Sequence, residues 1–365
     1  MKRRLGVILL VLMMIVVNVA GCSSAGTTSD KSDVIKAGFI YVGPADDGGW
    51  SQAHDQGRAK MVENLGGKVE TIVKENVPEE KSAVVSTIRD MVDQGATIIF
   101  GTSFGFMDGM AEAAKEFPNV KFEHCSGYTT ADNLGTYFGK IEEPRYLSGM
   151  VAGLATKSNK IAYVAAMPIP EVIRGINAFA LGVKAVNPDA TINVSWTNSW
   201  YDPTVEKAAA EALIQQGCDV TAQHQDSTAT MEAAKEAGKL SVGYDSSAAK
   251  TMPEVYMTAP LWDFSGYYTD RVQAVIDGTW TSDQYWGGMN DGIVLLDALT
   301  ALAPGSAQAK VTEAEKAIKA GELTIFSGEL KDQTGTVRVT AGSSMTDEAQ
   351  LSMDWFVDNV VGTLN

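Results

Sequence analysis

The chain has 365 residues, 45 Asp and Glu against 29 Lys and Arg, 3 Cys and 45% apolar residues. A formal charge of −16 repels polyphosphates and argues against a nucleic-acid partner. Three cysteines cannot build a disulfide framework, and the length exceeds one small core and suits two domains.

The chain opens on Lys2, Arg3 and Arg4, followed by an unbroken apolar stretch from Leu5 to Val17. A charged start, a short apolar core and small residues after it read as a secretory signal over residues 1–21; the alternative is a retained transmembrane anchor. Val19-Ala20-Gly21-Cys22 resembles the bacterial lipobox, in which the Cys thiol takes up diacylglycerol and becomes the first residue after cleavage. Several acyl chains on one residue give durable anchoring where one chain would not. Residues 22–33, rich in Ser, Thr and Gly, then form a flexible tether.

From Val34 to Val42 a β-rich run ends at Gly43-Pro44, and Trp50 to Leu65 reads as a helix stopped by Gly66-Gly67. Val69–Val73 is a strand. Glu79 to Gln94 carries a helical stripe of Val84, Val85, Ile88, Met91 and Val92. Thr97-Ile98-Ile99-Phe100 is a strand of the kind buried on both faces of a parallel sheet; Met107–Phe117 is a helix and Val120–Glu123 a strand.

The order then returns: strand Ile161–Ala166, helix Val172–Val186, strand Thr191–Trp196, helix Val205–Gln216. Strand Val220–Gln223, helix Met231–Ala237 and strand Leu240–Tyr244 follow. Asp93-Gln94-Gly95 is echoed by Gln215-Gln216-Gly217, and Ala113-Ala114-Lys115-Glu116 by Ala233-Ala234-Lys235-Glu236. The expected fold class is α/β, two doubly wound parallel-sheet lobes joined by a hinge. Residues 34–140 with about 263–288 form the N-terminal lobe, and 141–262 with about 289–365 the C-terminal lobe. Hinge crossings are expected at Gly139–Tyr146, Met257–Asp263 and Trp286–Gly292.

Ligands of open α/β sheets sit beyond the carboxyl ends of the strands. The loops there are Gly43–Trp50, Thr102–Phe106, His124–Tyr128, Pro168–Arg174, Thr197–Asp202, His224–Ser227 and Asp245–Ser247. They hold Asp46, Asp47 and Trp50, then Phe104 and Phe106 flanking Gly105, then Tyr128, Trp200, Tyr201, Asp226 and Asp245. Singly, each has a structural reading: a packed Trp, a core Phe pair, an Asp that caps a helix. Together, aromatic faces with a few fixed carboxylates suit a flat, polar, neutral ligand, and a sugar could use the same elements.

Catalytic signatures are missing, so an enzyme is not expected, nor a cofactor or metal. His54, His124 and His224 show no metal-type spacing, and no Walker loop occurs. Neighbours on a strand point to opposite faces, so His124 beside Cys125 is no nucleophile pair. His54 either lines the cleft or is a solvated helix residue. Arg145 either pairs with Glu142 and Glu143 or reaches into the cleft, and Cys218 at a strand entrance reads as a buried thiol.

Several stretches resemble the basic membrane protein family: the lipobox, Asp46-Asp47-Gly48-Gly49-Trp50 followed by Ala53-His54-Asp55-Gln56-Gly57-Arg58, Gln216-Gly217-Cys218-Asp219-Val220, and Gly243-Tyr244-Asp245. These are purine-nucleoside receptor lipoproteins, the solute-binding components of ABC importers with the type I periplasmic-binding fold. The resemblance implies a purine base or nucleoside stacked between aromatics of both lobes, with a permease as partner of the closed form. It places Asp46 at the site, Trp50 as the aromatic beside the first turn, Gly105-Phe106 as the strand-end pair and Asp245 as the later acid. Nucleoside-binding members tend to have a ribose-contacting Lys near Gly287–Gly292, where this chain has Asn290. A free base such as adenine is therefore expected ahead of a nucleoside. A sugar-binding protein and a ligand-sensing receptor are the alternatives on the same fold. The protein is expected to act as a monomer, lipid-anchored on the extracytoplasmic face of the cell membrane.

Overall fold

Alternating apolar strands and amphipathic helices generate two parallel sheets in the computed structural model, which describes residues 34–364. The expected signal peptide, the lipidated Cys22 and the tether lie outside the described residues. In the first half, β1 (Ile35–Ile40), β2 (Val69–Lys74), β3 (Ile98–Gly101), β4 (Lys121–Cys125) and β5 (Leu134–Gly139) alternate with α1 (Trp50–Leu65), α2 (Lys81–Asp93) and α3 (Met107–Glu116). After α4 (Glu142–Ala155) come β6 (Lys160–Ala165), α5 (Pro170–Val186), β7 (Thr191–Trp196), α6 (Pro203–Gln215), β8 (Val220–His224), α7 (Ala229–Glu236), β9 (Leu240–Val242) and β10 (Tyr256–Thr258). The remainder holds β11 (Pro260–Trp262), α8 (Ser265–Ile276), β12 (Gln284–Gly287), β13 (Val294–Leu296), α9 (Ala307–Lys319), β14 (Leu330–Lys331), β15 (Val337–Val339), α10 (Asp347–Leu351) and β16 (Val360–Val361).

The first six-stranded sheet runs β12-β5-β4-β3-β1-β2 and the second β10-β9-β8-β6-β7-β16. Their strand pairs are parallel, as helical crossovers require. Both sheets reverse direction in the same way, at β1 beside β3 and at β6 beside β8, which are the topological switch points. Each also takes an edge strand from far along the chain: Tyr285 beside Tyr137 in the first, Val360 beside Ile192 in the second. Antiparallel β11 and β13 pair where the chain passes between the sheets, Leu261 opposite Leu295.

β3 is buried at every position because helices cover both faces of its sheet. On one face Phe39 stacks on Phe100 at 4.7 Å and takes the edge of Tyr268 from α8 at 5.1 Å. On the other, Ile40 and Ile99 join Val84, Ile88 and Met91 of α2 and Met110 of α3 in one apolar cluster. Among the described residues Cys125 and Cys218 are free and buried. Among the described residues no helix is long and apolar enough to cross a membrane.

Two helix starts aim backbone toward the space between the lobes. The Asp47 carboxylate accepts from the N–H groups of Gly49, Ser51 and Gln52, which fixes the entrance of α1. Asp202 caps α6 through Val205 N–H with Pro203 as the first helical residue, so that helix begins two residues before its apolar periodicity does.

Candidate ligand-binding cleft

The carboxyl ends of the two sheets meet across a cleft enclosing about 460 Å³ of space free of atoms, part of it open to solvent. The first lobe contributes Val42 beyond β1, Trp50 at the start of α1, Thr102, Ser103 and Phe104 beyond β3, Ser126 beyond β4 and Phe138 from β5. The second contributes Ile169 and Glu171 beyond β6, Trp200 beyond β7, His224 and Asp226 at the end of β8, and Tyr244 beyond β9. Lining residues thus come from strand ends on both sides of both switch points, where open α/β sheets hold ligands.

The aromatic walls are held in place before any ligand arrives. Trp50 Nε1–H donates to the Thr102 carbonyl at 2.8 Å, and its ring makes edge contacts with His54, Trp262 and Phe264 at centroid distances of 4.4, 5.3 and 5.8 Å. Opposite, the Trp200 carbonyl accepts from Asp226 N–H, and the Trp200 ring stands 6.5 Å from His224. Tyr244 rests on the buried Arg145 guanidinium, 3.6 Å from the ring centroid. Rings fixed by hydrogen bonds and neighbours present flat apolar faces at little entropic cost.

The polar lining is acidic and contains no Lys or Arg. Burial drives Asp226 well above the usual carboxylate range, and Asp245, Asp47, Glu206 and Glu79 push the same way. Asp245 is also pushed well above it, first by burial, against the pull of Arg145 and a 2.9 Å hydrogen bond from Trp262 Nε1–H. Its Oδ2 is buried without a partner, and its backbone sits at φ 64°, a left-handed geometry that Asp tolerates. Burial opposes ionisation of Glu171 too, but the His224 ring 3.3 Å away and the guanidiniums of Arg174 and Arg145 outweigh it, so its carboxyl titrates below the ordinary value. Burial lowers His224, helped by Arg145 and Arg174 and opposed by Glu171.

Of the residues expected at the site, Trp50, Phe104, Trp200 and Asp226 come together in the lining. Asp245 stands behind it, its carboxyl bound to Trp262 and close to that of Asp226. Phe106 does not reach the cleft: it is fully buried with Ile40, Ile99 and Met110. Phe104–Phe106 is one turn of 3₁₀ helix, so residues two apart diverge, whereas on a strand they would share a face. A Cβ at Gly105 would lie 2.5 Å from the Glu79 carboxyl group, which accepts from Gly105 N–H and Ser103 Oγ–H, so any larger residue there must displace that acid.

Asp46 is exposed, and its neighbour Asp47 is the one turned inward. Tyr128 is 69% exposed, its ring 6.4 Å from Phe104 and outside the lining. Asn290 is exposed and donates to the Lys319 carbonyl, away from the cleft, so its identity says nothing about a ribose. His54 neither lines the cleft nor is solvated: it is buried behind Trp50, stacked on Phe264 at 3.9 Å, with Nδ1 2.5 Å from the Tyr268 hydroxyl. Arg145 donates to the Gln223 carbonyl and takes neither expected acid as its partner; Glu142 instead pairs with Arg174.

Glu171, His224, Tyr244, Phe138, Ser126, Thr102 and Ser103 line the cleft without having been singled out. Most stand in the strand-end loops named above, so position beyond a strand was the available signal rather than residue type.

The family model for PnrA-like ABC transporter substrate-binding proteins matches residues 34–326. A purine-binding protein of Brucella abortus (strain 2308) is 42% identical, covering 95% of this chain and 98% of that one. A protein of Haloferax volcanii, named for a proposed role as an ABC transporter glucose-binding protein, is 39% identical over 84% of this chain and 81% of its own. In fold, the chain is similar to a solved ABC transporter solute-binding protein from Aeropyrum pernix K1, with a TM-score of 0.70 and 20% identity over 87% of this chain and 95% of that one.

Proposed function

The chain belongs to the PnrA-like ABC transporter substrate-binding proteins, a family of solute binders rather than enzymes, and from that premise we propose that its solute is a purine. The ligand is a purine base of the adenine type or a purine nucleoside. It is held between Trp50 and Phe104 of one lobe and Trp200 of the other, with Asp226 at its polar edge.

The observation that carries this reading is the composition of the cleft. Indole, phenyl and phenol rings from both lobes converge on one space, with acids and hydroxyls but no Lys, Arg, Asn or Gln in the lining. Stacking surfaces suit a heteroaromatic plane, and acids with hydroxyls suit its N–H groups. A cleft lined by acids, with no Lys or Arg, disfavours phosphorylated relatives of the same ligand. The purine-binding relative from Brucella abortus supports the assignment.

Ligand bridging the lobes would shift an open–closed equilibrium toward the closed form, which docks on a permease. Proteins of this family work outside the cytoplasm; here a lipidated Cys22 would tether the protein, as a monomer, to the membrane. A sugar is the second reading, favoured by the Haloferax volcanii relative. Mass spectrometry of ligand co-purified with the protein tests the choice: a purine is expected, and a monosaccharide in its place would transfer the assignment to the sugar.

A further inference from the structure

The acids around the cleft are disposed unequally, and the difference bears on how the proposed purine is read. Asp226 lines the cavity and is only 5% exposed. Four other acids face it from different elements: Asp245 beyond β9, Asp47 in the turn before α1, Glu206 on α6 and Glu79 ahead of α2. Each of those four accepts at least one hydrogen bond, although Asp245 Oδ2 has none. Asp47 accepts from three backbone N–H groups, Glu206 from Ser227 and Asp202 N–H, Glu79 from Ser103 and Gly105, and Asp245 has Trp262 Nε1–H with Arg145 nearby. No Lys or Arg lines the cavity to serve Asp226; of the two buried guanidiniums nearby, Arg145 stacks on Tyr244 and acts on Asp245, and Arg174 pairs with Glu142.

We propose that Asp226 meets the ligand as a neutral carboxylic acid, presenting one O–H donor and one carbonyl acceptor to the purine C6–N1 edge. This rests on the purine reading above and adds a specificity rule to it. A carboxylate is acceptor-only, whereas a protonated carboxyl both donates and accepts. Adenine offers a ring acceptor at N1 beside an amino donor at C6, and a 6-oxo purine offers the same pair reversed. The neutral acid matches either by turning over, so the site accepts 6-amino and 6-oxo purines alike. An ionised Asp226 would face the adenine N1 lone pair with a second lone pair. Burial among like charges favours the neutral form.

Asp226→Asn tests this, because the amide keeps one donor and one acceptor and cannot ionise. Calorimetric titrations with adenine and hypoxanthine run from about pH 5 to about pH 9. In wild type both affinities are level on the acid side and fall by about tenfold per pH unit above the Asp226 midpoint. In Asp226→Asn neither affinity falls with pH, whatever its level. Repeating the wild-type titration in buffers of different ionisation enthalpy gives a second readout that needs no variant: uptake of about one proton per adenine above the midpoint. A flat wild-type profile without proton uptake overturns the proposal while leaving purine binding intact, as does an Asp226→Asn variant with the wild-type slope. Failure of either purine to bind wild type at any pH removes the underlying purine reading instead, and this rule with it.

Discussion

The Ser246 hydroxyl donates a 2.9 Å hydrogen bond to the Gly49 carbonyl, joining the loop beyond β9 in the second lobe to the entrance of α1 in the first. At the same contact a Cβ on Gly49 would stand 2.4 Å from the Asp226 carbonyl oxygen. The lobes therefore meet backbone to backbone next to the ligand space.

Gly49→Ala should act on closure, since the added methyl meets the Asp226 backbone in the other lobe. Each ~1.4 kcal/mol of strain placed on the closed form costs one decade of affinity, so a loss of roughly tenfold or more is expected for adenine. Calorimetry measures it, and small-angle scattering with excess ligand should show a larger radius of gyration than wild type. Unchanged affinity would mean that the lobes close without this contact.

Trp200→Ala isolates stacking. Trp50 also carries packing against Trp262 and Phe264, so its truncation would disturb the core behind it. Trp200 sits on a loop and is only half-buried. Loss of one base-stacking ring costs ~1–3 kcal/mol, roughly 5- to 150-fold in Kd. The melting temperature of the free protein should move little.

All 3 histidines are buried and titrate below their ordinary value, His124 at about 4 because burial outweighs its hydrogen bond to the Ser103 carbonyl. The unfolded chain then binds protons that the folded chain refuses, so each histidine subtracts stability as pH falls below about 6.5 toward its folded value. Buried carboxyls pushed upward, such as Glu123 and Asp226, act with the opposite sign. The histidine share is read as a difference: His124→Gln keeps a donor toward Ser103 and cannot charge. Urea unfolding should show wild type losing up to ~3 kcal/mol more than the variant between pH 7 and about pH 4. Parallel pH profiles would contradict this.

Cys22→Ser addresses the proposed anchor, with no change expected in ligand affinity. Wild type produced in a bacterial host should partition into the detergent phase on cloud-point separation, and the variant into the aqueous phase. Wild type found in the aqueous phase would rule out lipidation.

Both lobes were legible because strand and helix periods alternate clearly, as at Ile98–Phe100, where three consecutive apolar residues require cover on both faces. The strand ends followed, and with them Trp50, Phe104, Trp200 and Asp226. What was not legible depends on distant chain. Tyr285 and Val360 complete sheets begun more than a hundred residues earlier, with pairings that no local pattern announces. His54 is buried because Phe264, just before α8, and Tyr268 within it lie against the ring. Phe106 left the site through one 3₁₀ turn, a backbone choice that the letters Phe-Gly-Phe do not encode. Glu171 and Tyr244 are unremarkable alone and became site residues through the facing of two sheets.

The central claim is that the two lobes clamp a purine, and calorimetric titration of ligand-stripped protein with adenine, adenosine and glucose tests it most directly. Adenine or adenosine is expected to bind saturably, and glucose to give no measurable heat. Saturable binding of glucose with none of either purine would contradict the account.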